Sequence, residues 1–468
     1  VTSFQSLLIA NRGEIAARVA RTARRLGLRT VAVFSDADRD SPHVRACDEA
    51  VRVASYLDIE SLLRAPGDAV HPGYGFLAEN PAFAQAVVAA GRTWVGPPPT
   101  AMRALGDKAN AKALAAKAGV AVLPTYEGKP QFPLVIKALA GGGGRGMRLV
   151  LSAKELDAAL ASARSEAEHA FGDGRLLLEK AVLAPRHVEV QVFADGHGNC
   201  VHLGERDCSV QRRHQKLIEE SPSPAVDAAL RAKLGVAAIR VARAAGYAGA
   251  GTVEFLLDER GGFFFIEANA RLQVEHPVTE AVTGLDLVEW QLRVAAGEPL
   301  PLAQDDIRFE GHAIEARLCA EDPSQGFLPQ SGRLALWRPA DGLRVDHALE
   351  SGIEVTPHYD SLLAKLVAHA PTRDAAREQL AAALDATLAL GVTTNRAYLA
   401  AVLRDPVFAA GGATTALLED RFADWRAPAA DETFARRLYA AARAKAASFG
   451  EWSGWSNAGR VDLPKAPH

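Results

Sequence analysis

An α/β protein in three lobes is what the sequence predicts, and three stretches carry the prediction. Residues 7–34 read as strand, turn, helix and strand, a βαβ opening. Residues 132–138 form a buried strand that runs into five glycines in six positions, 141–146, and resumes as a second strand at 147–151. Residues 251–257 and 263–275 are joined by Asp258-Glu259-Arg260-Gly261-Gly262, a hairpin turn, and the second arm continues as a line of alternating polar side chains. At 468 residues the chain is longer than one core supports, so three domains are expected.

Composition narrows the function classes. A hydrophobic fraction of 49% with 39 Gly and 25 Pro is that of an ordinary soluble α/β protein, and a net charge of −3 points to no nucleic-acid partner. The four cysteines, 47, 200, 208 and 319, have no C-x-x-C spacing, which fits a reducing compartment and argues against structural zinc. Charged residues follow the first turn at once and no apolar run is long enough for a bilayer, so neither signal peptide nor membrane partner is expected. The expected location is cytoplasmic.

Taken in order, the opening βαβ has one turn glycine, Gly13, and no G-x-G-x-x-G, so dinucleotide binding is not inferred. Residues 70–79, with His71, Tyr74 and Glu79, read as structural turns. Residues 100–119 read as one amphipathic helix carrying Lys108, Lys112 and Lys117 and stopped by Gly119, and a domain boundary is placed near residue 103. Lys137 stands at the entry to the glycine loop, where Gly142, Gly143, Gly144 and Gly146 before Met147 let the backbone approach phosphate oxygens. No G-K-[ST] opens a helix there, which excludes a Walker A loop. The strand at 176–180 ends in Glu179 and Lys180, the edge of an adenine pocket if a nucleotide lies under that loop. His187 begins a cleanly alternating strand. The charged run 205–216 is either a solvated loop or a set of contacts to phosphate and a small anion.

The hairpin is the most informative stretch. If it is symmetric about Arg260 and Gly261, Glu254 lies opposite Glu267. Like charges so opposed are destabilising unless compensated, and a hard divalent cation is the usual compensation; the alternative is a solvated sheet face. Glu267, Asn269, Arg271, Gln273 and Glu275 alternate with apolar residues, the period of an extended segment with one polar face.

Together N11-R-G-E-I-A-A-R, H71-P-G-Y-G-F-L-A-E-N, the glycine loop, E205-R-D-C-S-V-Q-R-R-H-Q-K and F265-I-E-A-N-A-R-L-Q-V-E-H-P-V-T-E resemble biotin carboxylase, the ATP-grasp component of biotin-dependent carboxylases, from about residue 6 to 422. The resemblance implies a biotin carboxylase fold with an N-terminal domain at 1–103, an ATP-grasp domain at 104–308 whose lid is about 113–182, a C-terminal domain at 309–426 and a connector at 427–468. It implies a ligase that uses ATP, Mg²⁺ or Mn²⁺ and bicarbonate to make carboxyphosphate and pass CO₂ to biotin. Lys108 and Lys137 match lysines on the ATP phosphates; Glu179, Lys180, His187, Gln211 and His214 match nucleotide contacts. Lys216 matches a residue near bicarbonate and phosphate. Glu254 and Glu267 match metal-binding acids, with Asn269 beside them. Arg271, Gln273 and the Val274 backbone match the bicarbonate cradle, Glu275 the base, and Arg317 the residue that stabilises the biotin enolate. An ion pair of Arg317 with Glu315 or Glu321 is the structural alternative.

The only methionines are Met102 and Met147, so no A-M-K-M biotin site is present and biotin is expected on a separate carrier domain or chain, with a carboxyltransferase as further partner in an acyl-CoA carboxylase. A homodimer or a larger hetero-oligomer is expected. Arg18 and Arg21 match dimer-interface arginines, whereas Arg25 stands where the family has an acid. The segments before Ser55 and at 127–131 are shorter than in the family, which suggests residues missing from the sequence, a helix included. An amphipathic helix is expected around 433–446. The rivals are another ATP-grasp ligase of the carbamoyl-phosphate synthetase kind, against which R-L-Q-V-E-H-P speaks, and a non-catalytic nucleotide-binding scaffold.

Overall fold

The structure is a computed structural model that describes residues 3–139 and 147–427. The five loop glycines and the helix expected around 433–446 lie outside the described residues. Strands β1 (Ser6–Ile9), β2 (Arg29–Phe34), β3 (Glu49–Arg52), β4 (Ala69–His71) and β5 (Thr93–Trp94) make a parallel sheet in the order β3-β2-β1-β4-β5. Parallel neighbours need a crossover, and helix α1 (Gly13–Arg25) supplies the first. Its buried stripe of Ile15, Ala16, Val19, Ala20 and Ala23 follows the helical period, and each Val or Ile so buried contributes about 1.5–3 kcal/mol. Ile9 pairs with His71, which lays the turn after β1 against the turn after β4. Asn11 closes that junction, its Nδ2 donating to the carbonyls of Pro72 (2.6 Å) and Tyr74 (2.8 Å).

The single helix expected over 100–119 is two, α2 (Pro99–Gly106) and α3 (Lys108–Lys117). Asp107 breaks it, because its carboxylate accepts from the Asn110 N–H at 2.9 Å and so caps a new helix in place of continuing the old one. Between α3 and residue 134 the described chain contains no helix; it runs extended, with Thr125 bridged to Glu179.

Strands β6 (Leu134–Ala138), β7 (Arg148–Val150) and β8 (Leu176–Lys180) form a small antiparallel sheet in the order β7-β6-β8, covered by helix α4 (Leu156–Phe171). Its core is separate from the others and rests on Leu134, Ile136, Val150 and Ala163.

Strands β9 (Arg186–Ala194), β10 (Cys200–Arg212) and β11 (Gln215–Ser221), helix α5 (Ala228–Ala244), strands β12 (Gly249–Leu257) and β13 (Phe263–Asn269), and helices α6 (His276–Thr283) and α7 (Leu287–Ala295) follow. Strands β14 (His312–Cys319), β15 (Arg344–His347) and β16 (Leu362–Ala370) and helix α8 (Arg373–Ala386) complete the parts that matter here. One eight-stranded sheet, β13-β12-β9-β10-β11-β14-β16-β15, runs through all of these strands. The central and C-terminal lobes therefore share a sheet. The run 205–216 is not a solvated loop: most of it lies in β10, and only Arg213 and His214 form the turn into β11, both at positive φ.

Glu254 does pair with Glu267. The turn is not the symmetric one, however: Asp258 N–H donates to the Gly262 carbonyl at 2.8 Å, and a bulge between Glu254 and Phe255 restores the register. The polar alternation also stops being a strand after Asn269. The N–H of Ala270 is taken by Glu79 Oε1 at 3.0 Å, the chain leaves the edge of the sheet, and Glu275 becomes the N-cap of α6.

The three lobes meet around α1. Arg18 is 5% exposed and held by Glu280 (2.7 Å) and Asp286 (2.9 Å) of its own chain, so of the two arginines matched to a dimer interface only Arg21 presents itself outward. Arg25 pairs with Asp286 and Glu289, each at 2.7 Å. All four cysteines are free and three are buried, as packing residues. Among the described residues no helix is long and apolar enough to cross a membrane.

Candidate functional site

Lys216 is the centre of the site. Its Nζ donates to Glu189 (2.5 Å), Glu254 (2.9 Å) and Glu275 (2.8 Å), which stand on β9, β12 and the start of α6. Burial alone would lower its pKa, but three carboxylates raise it well above the usual lysine value. Glu254 is shared further: His187 Nε2 lies 2.7 Å from its other oxygen, and Asn269 Nδ2 donates at 2.8 Å. Burial pulls the Glu254 pKa up and the cations Lys216 and His187 pull it down by more, leaving it below the carboxylate range. Gln211 Nε2 lies 3.3 Å from His187 Nδ1 and so fixes that ring.

Arg271 spans the rim. Its Nε donates to Glu79 at 2.8 Å, one terminal nitrogen to Gln273 Oε1 at 2.7 Å and the other to Asn269 Oδ1 at 3.0 Å. Gln273 Nε2 in turn donates to Glu254 at 3.2 Å, and Lys365 donates to the Val274 carbonyl at 2.9 Å. The polar side chains at 267–275 thus do share one site, although a strand holds only the first two. Glu275 is fully buried, and the pull of Lys216, Arg317 and Arg206 outweighs burial to hold it ionised well below the carboxylate range. Arg317 bonds Glu219 (2.5 Å) and Glu275 (2.9 Å); neither Glu315 nor Glu321 is its ion-pair partner.

A second group of cations converges beside the small sheet. Lys137 Nζ lies 2.6 Å from Glu179, and Lys112 bonds the same carboxylate. Burial first, then the positive charges of His187, Lys137 and Lys108, hold the His214 pKa down. Lys180 does not join them; it is exposed. Met147 is half-buried at the foot of the small sheet.

A hard divalent cation fits here on the chemistry of the donors. Glu267 faces Glu254 across the hairpin, and burial together with the Glu254 charge raises its pKa, the repulsion that an oxygen-seeking cation relieves. Among the described residues, the ligand atoms that gather within 4.8 Å are those of His187, Glu189 and Glu254 and those of Glu189, Cys208 and Glu275. Glu267 belongs to neither set.

Several of these groups escape a reading of the sequence. Glu189 is visible only in hindsight, as the middle of the polar face His187, Glu189, Gln191. Lys112 follows Lys108 by one helical turn. Glu79, Glu219 and Arg206 carry no local signal: Arg206 is fully buried, donating to Glu189, Gln191, Thr252 and Thr279.

Comparison with known proteins identifies the family. The family model of the biotin carboxylase N-terminal domain matches residues 3–102, that of the carbamoyl-phosphate synthase L chain ATP-binding domain matches 107–303, and that of the biotin carboxylase C-terminal domain matches 315–420. The fold is that of an ATP-dependent ligase. The chain belongs to the biotin carboxylase family.

It is 48% identical to the biotin carboxylase of Halalkalibacterium halodurans, over 89% of this chain and 97% of that one. It is 47% identical to the methylcrotonoyl-CoA carboxylase subunit alpha of Arabidopsis thaliana and 46% identical to the propionyl-CoA carboxylase alpha chain of Ruegeria pomeroyi, spanning 67% and 72% of their lengths. Among solved structures, the biotin carboxylase domain dimer of Hydrogenobacter thermophilus 2-oxoglutarate carboxylase, in complex with MgADP, ADP and bicarbonate, superposes with a TM-score of 0.87 at 43% identity, covering 90% of this chain and 98% of that one. A biotin carboxylase from Campylobacter jejuni superposes with a TM-score of 0.86 at 42% identity, covering 89% and 99%.

Proposed function

We propose that this chain carries out the first half-reaction of a biotin-dependent acyl-CoA carboxylase, the ATP- and bicarbonate-dependent carboxylation of biotin through carboxyphosphate. The observation that carries the reading is the meeting of Arg271, Gln273, Glu275 and Arg317 around Lys216.

Lys108 and Lys137 supply positive charge where a triphosphate lies and His214 is a neutral contact there, with Glu179 and Lys180 at the nucleotide's edge and His187 and Gln211 beside it. By the motif likeness alone, the glycines 142, 143, 144 and 146 with Met147 are assigned to the phosphates. Glu254, Glu267 and Asn269 would hold Mg²⁺, which would neutralise the phosphate oxygens during transfer. Arg271, Gln273 and the Val274 backbone hold bicarbonate so that one anion can attack another. Glu275 takes the bicarbonate proton, and because Lys216 and Arg317 keep it ionised it is a base by position, not by raised basicity. Arg317 then faces the negative charge that develops on the biotin ureido oxygen.

Biotin arrives on a carrier domain or chain, and a carboxyltransferase subunit consumes the product; a homodimer or larger hetero-oligomer is the expected assembly. The cytoplasm is the proposed location, supported by the four unpaired cysteines. Steady-state phosphate release tests the reading: it should require bicarbonate and Mg²⁺ and rise with free biotin. Turnover indifferent both to free biotin and to a biotinylated carrier would overturn it.

A further inference from the structure

Arg317 is held by two carboxylates, and the one that is not the proposed base has a buried neighbour of the same sign. Glu219 on β11 pairs directly with Glu315 on β14, and both side chains are fully buried. Glu219 uses one oxygen on Arg317 Nε; its Oε2 and both oxygens of Glu315 are buried with no hydrogen-bond partner. Directly opposed residues of an antiparallel pair have Cβ atoms about 4.5–5.5 Å apart, and two carboxyls so placed in a dry sheet do not both ionise. The pair therefore retains a proton.

The surrounding charges say where it sits. On β16, Lys365 is committed to the Val274 carbonyl (2.9 Å) and to Glu14 of α1 (3.1 Å), with Asp346 of β15 across from it. On α6, His276 is neutral, its pKa depressed by burial and then by Lys365. Lys216 on β11 is committed to Glu189, Glu254 and Glu275, and Arg206 on β10 to Glu189. No cation bonds Glu315, whose pKa is raised well above normal by burial and by Glu219 and Glu275, so it keeps its proton. Glu219 is the member that titrates: burial raises it to about 7 against the pull of Arg317.

We propose that Glu219, backed by its cross-strand partner Glu315, is a positioning residue for biotin carboxylation that keeps the Arg317 guanidinium in place after Glu275 has accepted the bicarbonate proton. The proposal rests on the assignment of Arg317 to biotin. Once Glu275 is neutral, Glu219 is the one ionised group bonded to Arg317. Below about pH 7 Glu219 is protonated as well and this hold is lost. Carboxybiotin formed per phosphate released should therefore rise with pH through neutrality, a ratio from which any pH effect on bicarbonate itself cancels.

The test uses the full chain with free biotin and measures phosphate and carboxybiotin in parallel across neutral pH. Glu219→Gln should lower the ratio by roughly 10- to 100-fold, the size of a lost charge-assisted hydrogen bond, and abolish its rise with pH. Glu315→Gln exchanges one neutral group opposite Glu219 for another and should leave the rise in place; Glu219→Asp, which keeps the charge on a shorter side chain, should lower the ratio less than Glu219→Gln while retaining a rise, and it carries the test if Glu219→Gln fails to fold. Equal loss of both products in Glu219→Gln or Glu219→Asp, or a rise with pH that survives in Glu219→Gln, overturns the proposal. Arg317→Gln run alongside separates the two possible failures. If it lowers both products alike, the assignment of Arg317 is wrong and the proposal falls with it; if it separates them and Glu219→Gln does not, only the positioning role of Glu219 is lost.

Discussion

Glu275 and Arg317 sit 2.9 Å apart yet are assigned to opposite ends of the reaction. Glu275→Gln preserves shape and removes the base, so ATP cleavage and biotin carboxylation should fall together by about two orders of magnitude or more. Arg317→Gln should spare part of the bicarbonate-dependent ATP cleavage while carboxybiotin drops by roughly 10²–10³, the loss typical of an oxyanion donor. Parallel assays of the two products decide it, and an equal fall in both for Arg317→Gln would remove Arg317 from the biotin step. Glu79 shows how an unassigned residue enters such a site: both of its oxygens are used, one on the Ala270 N–H and one on Arg271 Nε. It sets the direction of the guanidinium proposed to hold bicarbonate.

Elements differ in how firmly they are held. The sheet β7-β6-β8 with α4 packs on four fully buried apolar side chains, whereas β9 to β12 belong to the eight-stranded sheet and its large core. A unit with so small a core opens at lower free energy than its neighbours. We propose that closure over nucleotide is a motion of this unit, tied to the site by Lys137 on β6 and Glu179 on β8. Amide exchange should be faster in β6 and β7 than in β9 and β10 without nucleotide, and should slow in β6 to β8 when ATP and Mg²⁺ bind. Unchanged exchange with nucleotide demonstrably bound would rule out a lid role for this unit.

At the scale of the molecule, buried charge joins the lobes. Asp346 on β15 is 2% exposed and bonded to Arg344 (2.7 Å) and to Arg21 of α1 (3.1 Å). Burial raises its pKa, but Lys365 and Arg344 depress it below the carboxylate range. Its contribution is therefore present above the unfolded-state value of about 3.9 and lost as pH falls. Asp346→Asn should cost about 1.5–3 kcal/mol at neutral pH, the loss of charge-assisted hydrogen bonds to Arg344 and Arg21, and progressively less in acid. Glu14, buried beside Lys365, has the opposite sign: burial raises it to about 7, so its contribution is greatest in acid and declines as pH rises through that value. Glu14→Gln should flatten the decline in melting temperature across neutral pH. Thermal melts of both variants over a pH series test the two signs; a pH-independent loss in Asp346→Asn would refute the first.

What the sequence by itself determined is whatever depends on near neighbours. The βαβ opening and the pairing of Glu254 with Glu267 follow from periodicity and a short turn, and the second survived a misplaced turn because a bulge compensated it. The motif likeness then placed Lys216, Arg271, Glu275 and Arg317 together before any coordinate did. Asp107 defeated the single-helix reading because a cap competes with helix continuation through one local hydrogen bond, and alternation past Asn269 could not reveal that Glu79 had taken the next backbone donor. Only the tertiary structure decided the partners: Glu79 for Arg271, Lys112 for Glu179, Glu219 for Arg317, and Glu280 with Asp286 for Arg18. Period tells which face a side chain takes, whereas a charge finds its partner across strands and lobes far apart in the chain, where burial makes the pairing compulsory.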